Sequence, residues 1–373
     1  MVEIAGFGVE AWLNEWETKA QYDISQSTIA SLTLEELVAF DPPAGQQLLT
    51  DLKQNKLNYG HIEGSPEFKQ EVSKLYDHMS ADNILQTNGA TGANHLVLYA
   101  LLNSGDHVVA EYPSYQQLYD IPKSLGAEVD FWPIEEDQDW QPSLTKLKEL
   151  VRSDTKMICL NNANNPTGTV LDRTFLEQVV AIAKTVGAYV LVDEVYQPLA
   201  TDVDYKSIVD LYDRGIATNS LSKTYSVPGI RIGWTASNAE VTNIFRTFRD
   251  YTMICGGVLG DLVATYVLQH RDQVLARNRD LVTRNLKILT DWVAQEPRVS
   301  LATPQMVSTS FPRLDISEDT EAFCLRLLKE TGVLLVPGER FDLPGHVRLG
   351  YCAPTQVLQT GLKLLSEFLR QYN

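Results

Sequence analysis

The sequence predicts an α/β protein: a large domain built on a mostly parallel sheet sandwiched by helices, and a smaller α+β domain assembled from the two ends of the chain. Three observations predict it. From about residue 46 to 290, short runs rich in Val, Ile and Tyr alternate with longer amphipathic segments, the rhythm of βαβ units. After a proline-free stretch with apolar side chains at helical spacing (257–296), the pattern changes to short strands interleaved with two helices. The chain has 373 residues and is 44% apolar, and a chain of that size buries roughly three quarters of its unfolded surface without needing disulfides or a structural metal.

In chain order, the first 45 residues hold a helix near 8–17 and a break at Pro42-Pro43. They are too short to fold alone and are expected to pack on the C-terminal unit, with Trp12, Trp16 and Tyr22 either packing that domain or lining an aromatic-friendly pocket. Helices are predicted near 91–102, 114–125, 143–152, 172–186 and 239–252. The strands between them are HVVAEY (107–112), EVDFWPI (128–134), KMICLNN (156–162), AYVLVDEVY (188–196), IATNSLS (216–222) and IRIGWTAS (230–237). Residues 257–296 read as one long helix or two abutting ones. VSTSFPRL, a helix around 319–331, GVLLVP, HVRLGY and a helix at 355–371 complete the smaller unit. The expected division is 46–290 for the large domain, and 1–45 with 291–373 for the small one.

Lys and Arg number 31 against 48 Asp and Glu, a formal charge of −17. Binding to nucleic acid or to an anionic membrane rests on clustered Lys and Arg, and no such cluster occurs. The four cysteines (Cys159, Cys255, Cys324, Cys352) are far apart and the six histidines scattered, so neither disulfides nor a metal site is expected. MVEIAGFGVE has no signal-peptide pattern, and the longest apolar stretch, 96–102, is far short of the ~20 residues that span a bilayer. A cytoplasmic protein is expected.

Four strings carry chemistry. In Ser220-Leu-Ser222-Lys223-Thr224 a lysine stands at a strand end beside serines, with Arg231 following in GIRIGW. A lysine held in a cleft near another cation is pushed towards its neutral, nucleophilic form. The Lys-Thr pair is no phosphate loop of the Walker type, because Asn-Ser-Leu-Ser precedes it where glycines are required. Asn164-Asn165-Pro166-Thr167-Gly168 is a turn after a strand, able to aim a carboxamide over the carboxyl edge of the sheet. Asp193-Glu194-Val195-Tyr196 closes the most apolar strand, where a carboxylate needs a cationic or N–H partner. Glu194, pointing the other way, is expected to face solvent. Asn88-Gly89-Ala90-Thr91-Gly92 opens a helix whose free N–H groups make a seat for phosphate.

Taken together these residues resemble the class I/II aminotransferases, the family of fold type I that uses pyridoxal 5′-phosphate (PLP). The ordered set NNPTG, DEVY, SLSK and R-x-G, with Arg348 in HVRLGY, carries the resemblance over nearly the whole chain. It implies that Lys223 is the Schiff-base lysine and proton shuttle, and that Asp193 pairs with the pyridinium nitrogen. Asn165 and Tyr196 would hydrogen-bond the ring's phenolic oxygen. Ser220, Ser222, Arg231 and the Gly89, Ala90 and Thr91 segment would clasp the phosphate, and Tyr115 in YPSY would stack on the ring. Tyr59 in NYGHIEG would reach the phosphate of the neighbouring subunit in a homodimer. Arg348, aided by Asn165, would bind the substrate carboxylate.

The reaction implied is transfer of an amino group between an L-amino acid and a 2-oxo acid by a ping-pong mechanism, with Lys223, Asp193 and Tyr196 as the catalytic set. C–S β-lyases and amino-acid cyclases of the same fold begin with the same Cα deprotonation and are the alternative. A PLP-sensing transcription regulator is disfavoured, since no basic helix-turn-helix segment is present.

Overall fold

A computed structural model describes residues 3–197, 199–200 and 203–372. Its centre is a seven-stranded sheet of β1 (Ile84–Asn88), β2 (His107–Tyr112), β3 (Glu128–Pro133), β4 (Thr155–Asn161), β5 (Tyr189–Asp193), β6 (Gly215–Ser220) and β7 (Ile232–Ala236), in the order β1-β7-β6-β5-β4-β2-β3. Only β7 runs antiparallel to its neighbours. Side chains alternate between two buried faces: Ile158, Leu160, Val190 and Val192 join one apolar cluster, while Met157, Cys159 and Leu191 join another. Burial on both faces explains why β4 and β5 read as continuous apolar runs.

The register gathers the strand ends of interest at one edge. Asn161 is level with Asp193, Asp193 with Thr218, Ser220 with Gly233, and Asn88 with Ile232. Because β7 is antiparallel, its first residue lies at the edge where the parallel strands finish, and this brings Arg231 to the same rim. The Gly89–Leu101 helix starts there too.

A third cluster joins the two chain ends: Trp12 and Ile24 pack with Phe311, Phe323, Val333 and Leu365. Tyr22–Asp23 pairs in parallel with Val333–Leu334, and Val336–Pro337 pairs antiparallel with Val347–Arg348. Leu37 instead joins the cluster on the large sheet.

Two local readings need correction, and one open reading is decided. Pro42-Pro43 does not merely interrupt the chain. It opens the Pro42–Gln54 helix, with Ala44 N donating to the Asp41 cap at 3.1 Å, because proline at the first helical positions has no N–H to lose. The stretch 257–296 is two helices, Val258–Gln269 and Arg271–Val293, meeting at His270. Strand β1, short and at the sheet edge, escaped the periodicity reading.

Candidate active site

At this sheet edge lies a cavity of about 480 Å³, lined by Ala90, Thr91, Tyr115, Asn165, Asp193, Tyr196, Ser220, Ser222, Lys223, Arg231 and Arg348. All but two of the residues singled out in the sequence are therefore in one place. Gly89 lies just behind the lining, against Arg231. Tyr59 lies elsewhere: its side chain is 80% exposed, on a separate groove of about 640 Å³ with His61, Val258 and Tyr266.

Lys223 Nζ donates to Ser27 Oγ at 2.8 Å and to Thr28 Oγ1 at 3.3 Å. Burial, and next the guanidinium of Arg348, push its pKa down to about 8. An appreciable neutral fraction follows near neutral pH, as a nucleophile requires. The Tyr196 ring centroid is 5.9 Å from the same nitrogen. Burial pushes the Tyr196 phenol up to about 12, so it stands as an O–H donor.

Asp193 is 2% exposed and accepts from Asn94 Nδ2 at 2.7 Å and from Val195 N at 3.1 Å. Burial raises its pKa to about 6 against the pull of these donors. Such a carboxyl is held short of a cation, and a protonated ring nitrogen would supply one.

Arg348, 2% exposed, lays Nε and Nη2 on the Ser25 carbonyl at 3.2 and 3.0 Å and Nη1 on Asn165 Oδ1 at 3.3 Å. Asn165 is itself fixed by its N–H donating to Asn161 Oδ1 at 2.9 Å. Behind that turn, Glu111 Oε2 accepts from Asn161 N at 2.9 Å and Asn164 Nδ2 at 3.1 Å, and burial raises Glu111 to about 7.

Ala90, Thr91, Ser220, Ser222 and Arg231 form a part of the lining suited to cradle an anion. The Gly89–Leu101 helix begins without a side-chain cap from Asn88, so its leading N–H groups are not taken by that side chain. Gly89 has φ +67°, and a Cβ there would meet Arg231 Nη2 at 2.9 Å. A Cβ on Gly233 would come within 2.7 Å of Ala90 N. Ser220 Oγ accepts from Ser222 N at 3.2 Å, which orders the serine pair beside the cradle. An uncapped helix start beside Arg231, a buried acid and a buried amine on one cavity are the groups that PLP, with its phosphate, ring nitrogen and aldehyde, would require.

A family model for aminotransferase class I and II matches residues 37–363. The chain belongs to that family. The reaction of this aminotransferase is PLP-dependent transamination. A crystal structure of a PLP-dependent aminotransferase from Streptococcus suis shares 57% identity and superposes with a TM-score of 0.98, covering 100% of this chain and 99% of that one. Among curated relatives, capreomycidine synthase of Streptomyces vinaceus is 30% identical over 97% of this chain and 93% of its own length. An aspartate aminotransferase of Thermotoga maritima is 29% identical over 88% of this chain and 87% of its own length.

Sequence reasoning missed the residues that hold the site in place. Ser25, Ser27 and Thr28 come from a Ser/Thr-rich segment with no distinctive spacing. The backbone there presses so close to Gly350 that a Cβ would lie 1.6 Å from the Gln26 carbonyl oxygen. Asn94 sits in mid-helix, where an asparagine facing the core is the only signal. Glu194 does not face solvent as the alternation suggests: it points away from Asp193, but it is 1% exposed. That face is roofed by the Ile208–Asp210 turn, and Glu194 Oε1 accepts from Ser207 Oγ at 2.8 Å and Ile208 N at 2.9 Å.

Proposed function

We propose that this aminotransferase works with Lys223 as Schiff-base lysine and proton shuttle, Asp193 as partner of the ring nitrogen, and Arg348 as clamp on the α-carboxylate of an L-amino acid. The observation that carries the reading is the convergence of a buried amine, a buried carboxyl that forms no ion pair among the described residues and a buried guanidinium on one cavity. When bound, PLP supplies a ring system that stores the electron pair released at the substrate Cα.

The protein's own groups do the rest. Arg348, held from behind by Ser25, presents its remaining N–H groups to a carboxylate in a fixed fork. Lys223 Nζ, lowered in pKa and close to Ser27 and Thr28, removes the Cα proton and returns it elsewhere. Asn165 and the protonated Tyr196 donate to the ring's phenolic oxygen. Ser220, Ser222, Arg231 and the N–H groups of Gly89, Ala90 and Thr91 anchor the phosphate dianion. Tyr115, held by Phe7 with ring centroids 5.2 Å apart, would cover a ring face.

The reading extends to the assembly. Tyr59 belongs to the neighbouring subunit's phosphate site in a homodimer. Exposed Leu57, Ile62, Tyr251 and Ile254, at 79, 59, 86 and 60%, support such an interface. Residues 46–290 form the cofactor-holding domain and 1–45 with 291–373 the small one. Among the described residues no helix is long and apolar enough to cross a membrane, and we place the enzyme in the cytoplasm.

The test is spectroscopic and chemical. Protein loaded with PLP should show a visible band that Lys223→Ala abolishes; a wild type that takes up no PLP overturns the reading. Product analysis should give a 2-oxo acid with the amino group recovered on a 2-oxo acid acceptor. Release of free ammonia from a β-substituted donor would assign a lyase instead.

A further inference from the structure

The charges of the cavity do not balance once its ligands are in place, and this inference rests on the reading just given. Three cations line it: Lys223, Arg231 and Arg348. Each has a task with the cofactor or the substrate α-carboxylate, and Asp193 has one with the ring nitrogen. Two further acids on the wall, Glu10 and Glu17, have none. Neither forms an ion pair among the described residues. Glu10 Oε1 accepts a long hydrogen bond of 3.4 Å from Tyr115 Oη, and Glu17 Oε2 one of 3.2 Å from Gln26 Nε2.

These acids are parts of one stripe. Phe7, Glu10, Leu13 and Glu17 line the cavity at three- and four-residue spacing, the face that the Gly8–Trp16 helix and its continuation turn to the site. The helix is pinned on both sides: Trp12 Nε1 donates to the Leu335 carbonyl at 2.9 Å, and Gly8 N to Gln116 Oε1 at 2.7 Å. The wall thus alternates apolar and anionic groups.

We propose that the substrate of this aminotransferase is an L-amino acid with a long cationic side chain, its apolar stem on Phe7 and Leu13 and its guanidinium or ammonium head between Glu10 and Glu17. A dicarboxylic amino acid would bring its second carboxylate against these two acids with no cation left to receive it, and like charges so placed oppose binding. A neutral chain would offer no charge to half-buried Glu10 or to Glu17, which is exposed at the rim. Lysine-like and arginine-like chains have the amphipathic build the stripe asks for.

The experiment uses the enzyme loaded with PLP and follows the visible band during titration with L-arginine, L-citrulline, L-lysine, L-norleucine and L-glutamate. Each cationic amino acid should half-saturate at a concentration about tenfold or more below that of its neutral isostere, the scale expected of a charge-assisted contact. L-Glutamate should be the weakest of the set. Glu10→Gln and Glu17→Gln should each shrink the arginine-to-citrulline ratio towards one while the citrulline titration moves little. Citrulline, norleucine or glutamate titrating as well as the cationic amino acids overturns this inference and leaves the reading of the site standing. A band that no amino acid perturbs overturns both.

Discussion

Asn94 Nδ2 lies 2.7 Å from Asp193 Oδ2, and because an ionised carboxylate can only accept, the amide turns its NH2 to the acid while Thr218 Oγ1 donates to Asn94 Oδ1 at 2.6 Å. Asn94 is therefore locked as a donor to the acid that is to face the ring nitrogen. The three side chains are buried, so the hydrogen bond acts where it is strongest. It pulls Asp193 down against the burial that pushes it to about 6.

Removing that donor should make Asp193 harder to ionise. In Asn94→Leu the acid limb of the pH–rate profile should move to higher pH by about one unit, the size of one lost charge-assisted hydrogen bond. kcat should fall about twofold at neutral pH and about tenfold on the acid side of both limbs, with KM for the amino acid little changed. Thr218→Val should act in the same direction and less strongly, because the amide can still reach the acid. Unmoved pH profiles in both variants would show that the relay is packing alone.

Arg348→Lys separates substrate binding from cofactor binding. A lysine can reach the Ser25 carbonyl or the substrate carboxylate with its compact ammonium, but it has no fork to do both. KM for the amino acid should rise about tenfold to a hundredfold, and the visible band of the bound cofactor should persist. Loss of the band with unchanged KM would move Arg348 to the cofactor.

Much of this was legible in the chain before any coordinates. Strands β2, β4 and β5 announce themselves as runs of apolar side chains because both faces of the sheet are covered. Asp193 stands out because it closes the apolar run Tyr189–Val192, where a polar group is costly; Asn165, Ser220 and Lys223 stand in polar strings and are legible through the motifs NNPTG and SLSK. What sequence could not deliver is how segments far apart in the chain meet. Ser27 reaches Lys223 across 196 residues and Ser25 reaches Arg348 across 323. Glu194 shows the same limit, since its burial depends on a turn thirteen residues further along. Alternation tells which face a side chain takes, and only the tertiary packing tells what covers that face.

The cradle gives a prediction that activity need not report. Gly89 sits at φ +67° with Arg231 Nη2 2.9 Å from where a Cβ would be. Gly89→Ala meets a backbone penalty of about 1–2 kcal/mol and must push the guanidinium aside. PLP affinity, measured by titration of the apoprotein, should weaken about tenfold or more. Gly92→Ala is the control three residues on: its Cβ would find only Asn88 Cβ at 3.4 Å and Thr87 Cβ at 3.8 Å, ordinary contacts. Equal loss in both would place the effect in the helix rather than in the cradle.

Glu194 should make folding stability depend on pH with an unusual sign. Burial raises its pKa to about 8 from an ordinary carboxyl value of 4.5. Between those two values the folded protein holds a proton that the unfolded chain has lost. Stability due to this group is thus complete below the ordinary carboxyl range, falls as pH rises, and has been spent once the pH exceeds about 8. The slope is at most about 1.4 kcal/mol per pH unit. Glu194→Gln keeps an oxygen for Ser207 Oγ and Ile208 N, whose bonds to Oε1 are 2.8 and 2.9 Å, and it cannot ionise. The difference in stability between variant and wild type, followed by urea unfolding from pH 5 to 9, should therefore tilt steadily towards the variant up to about pH 8 and then level off. Other acids titrate in the same range, but they are common to both proteins and cancel. A difference that stays flat across the range would mean that Glu194 ionises in the fold as it does in water.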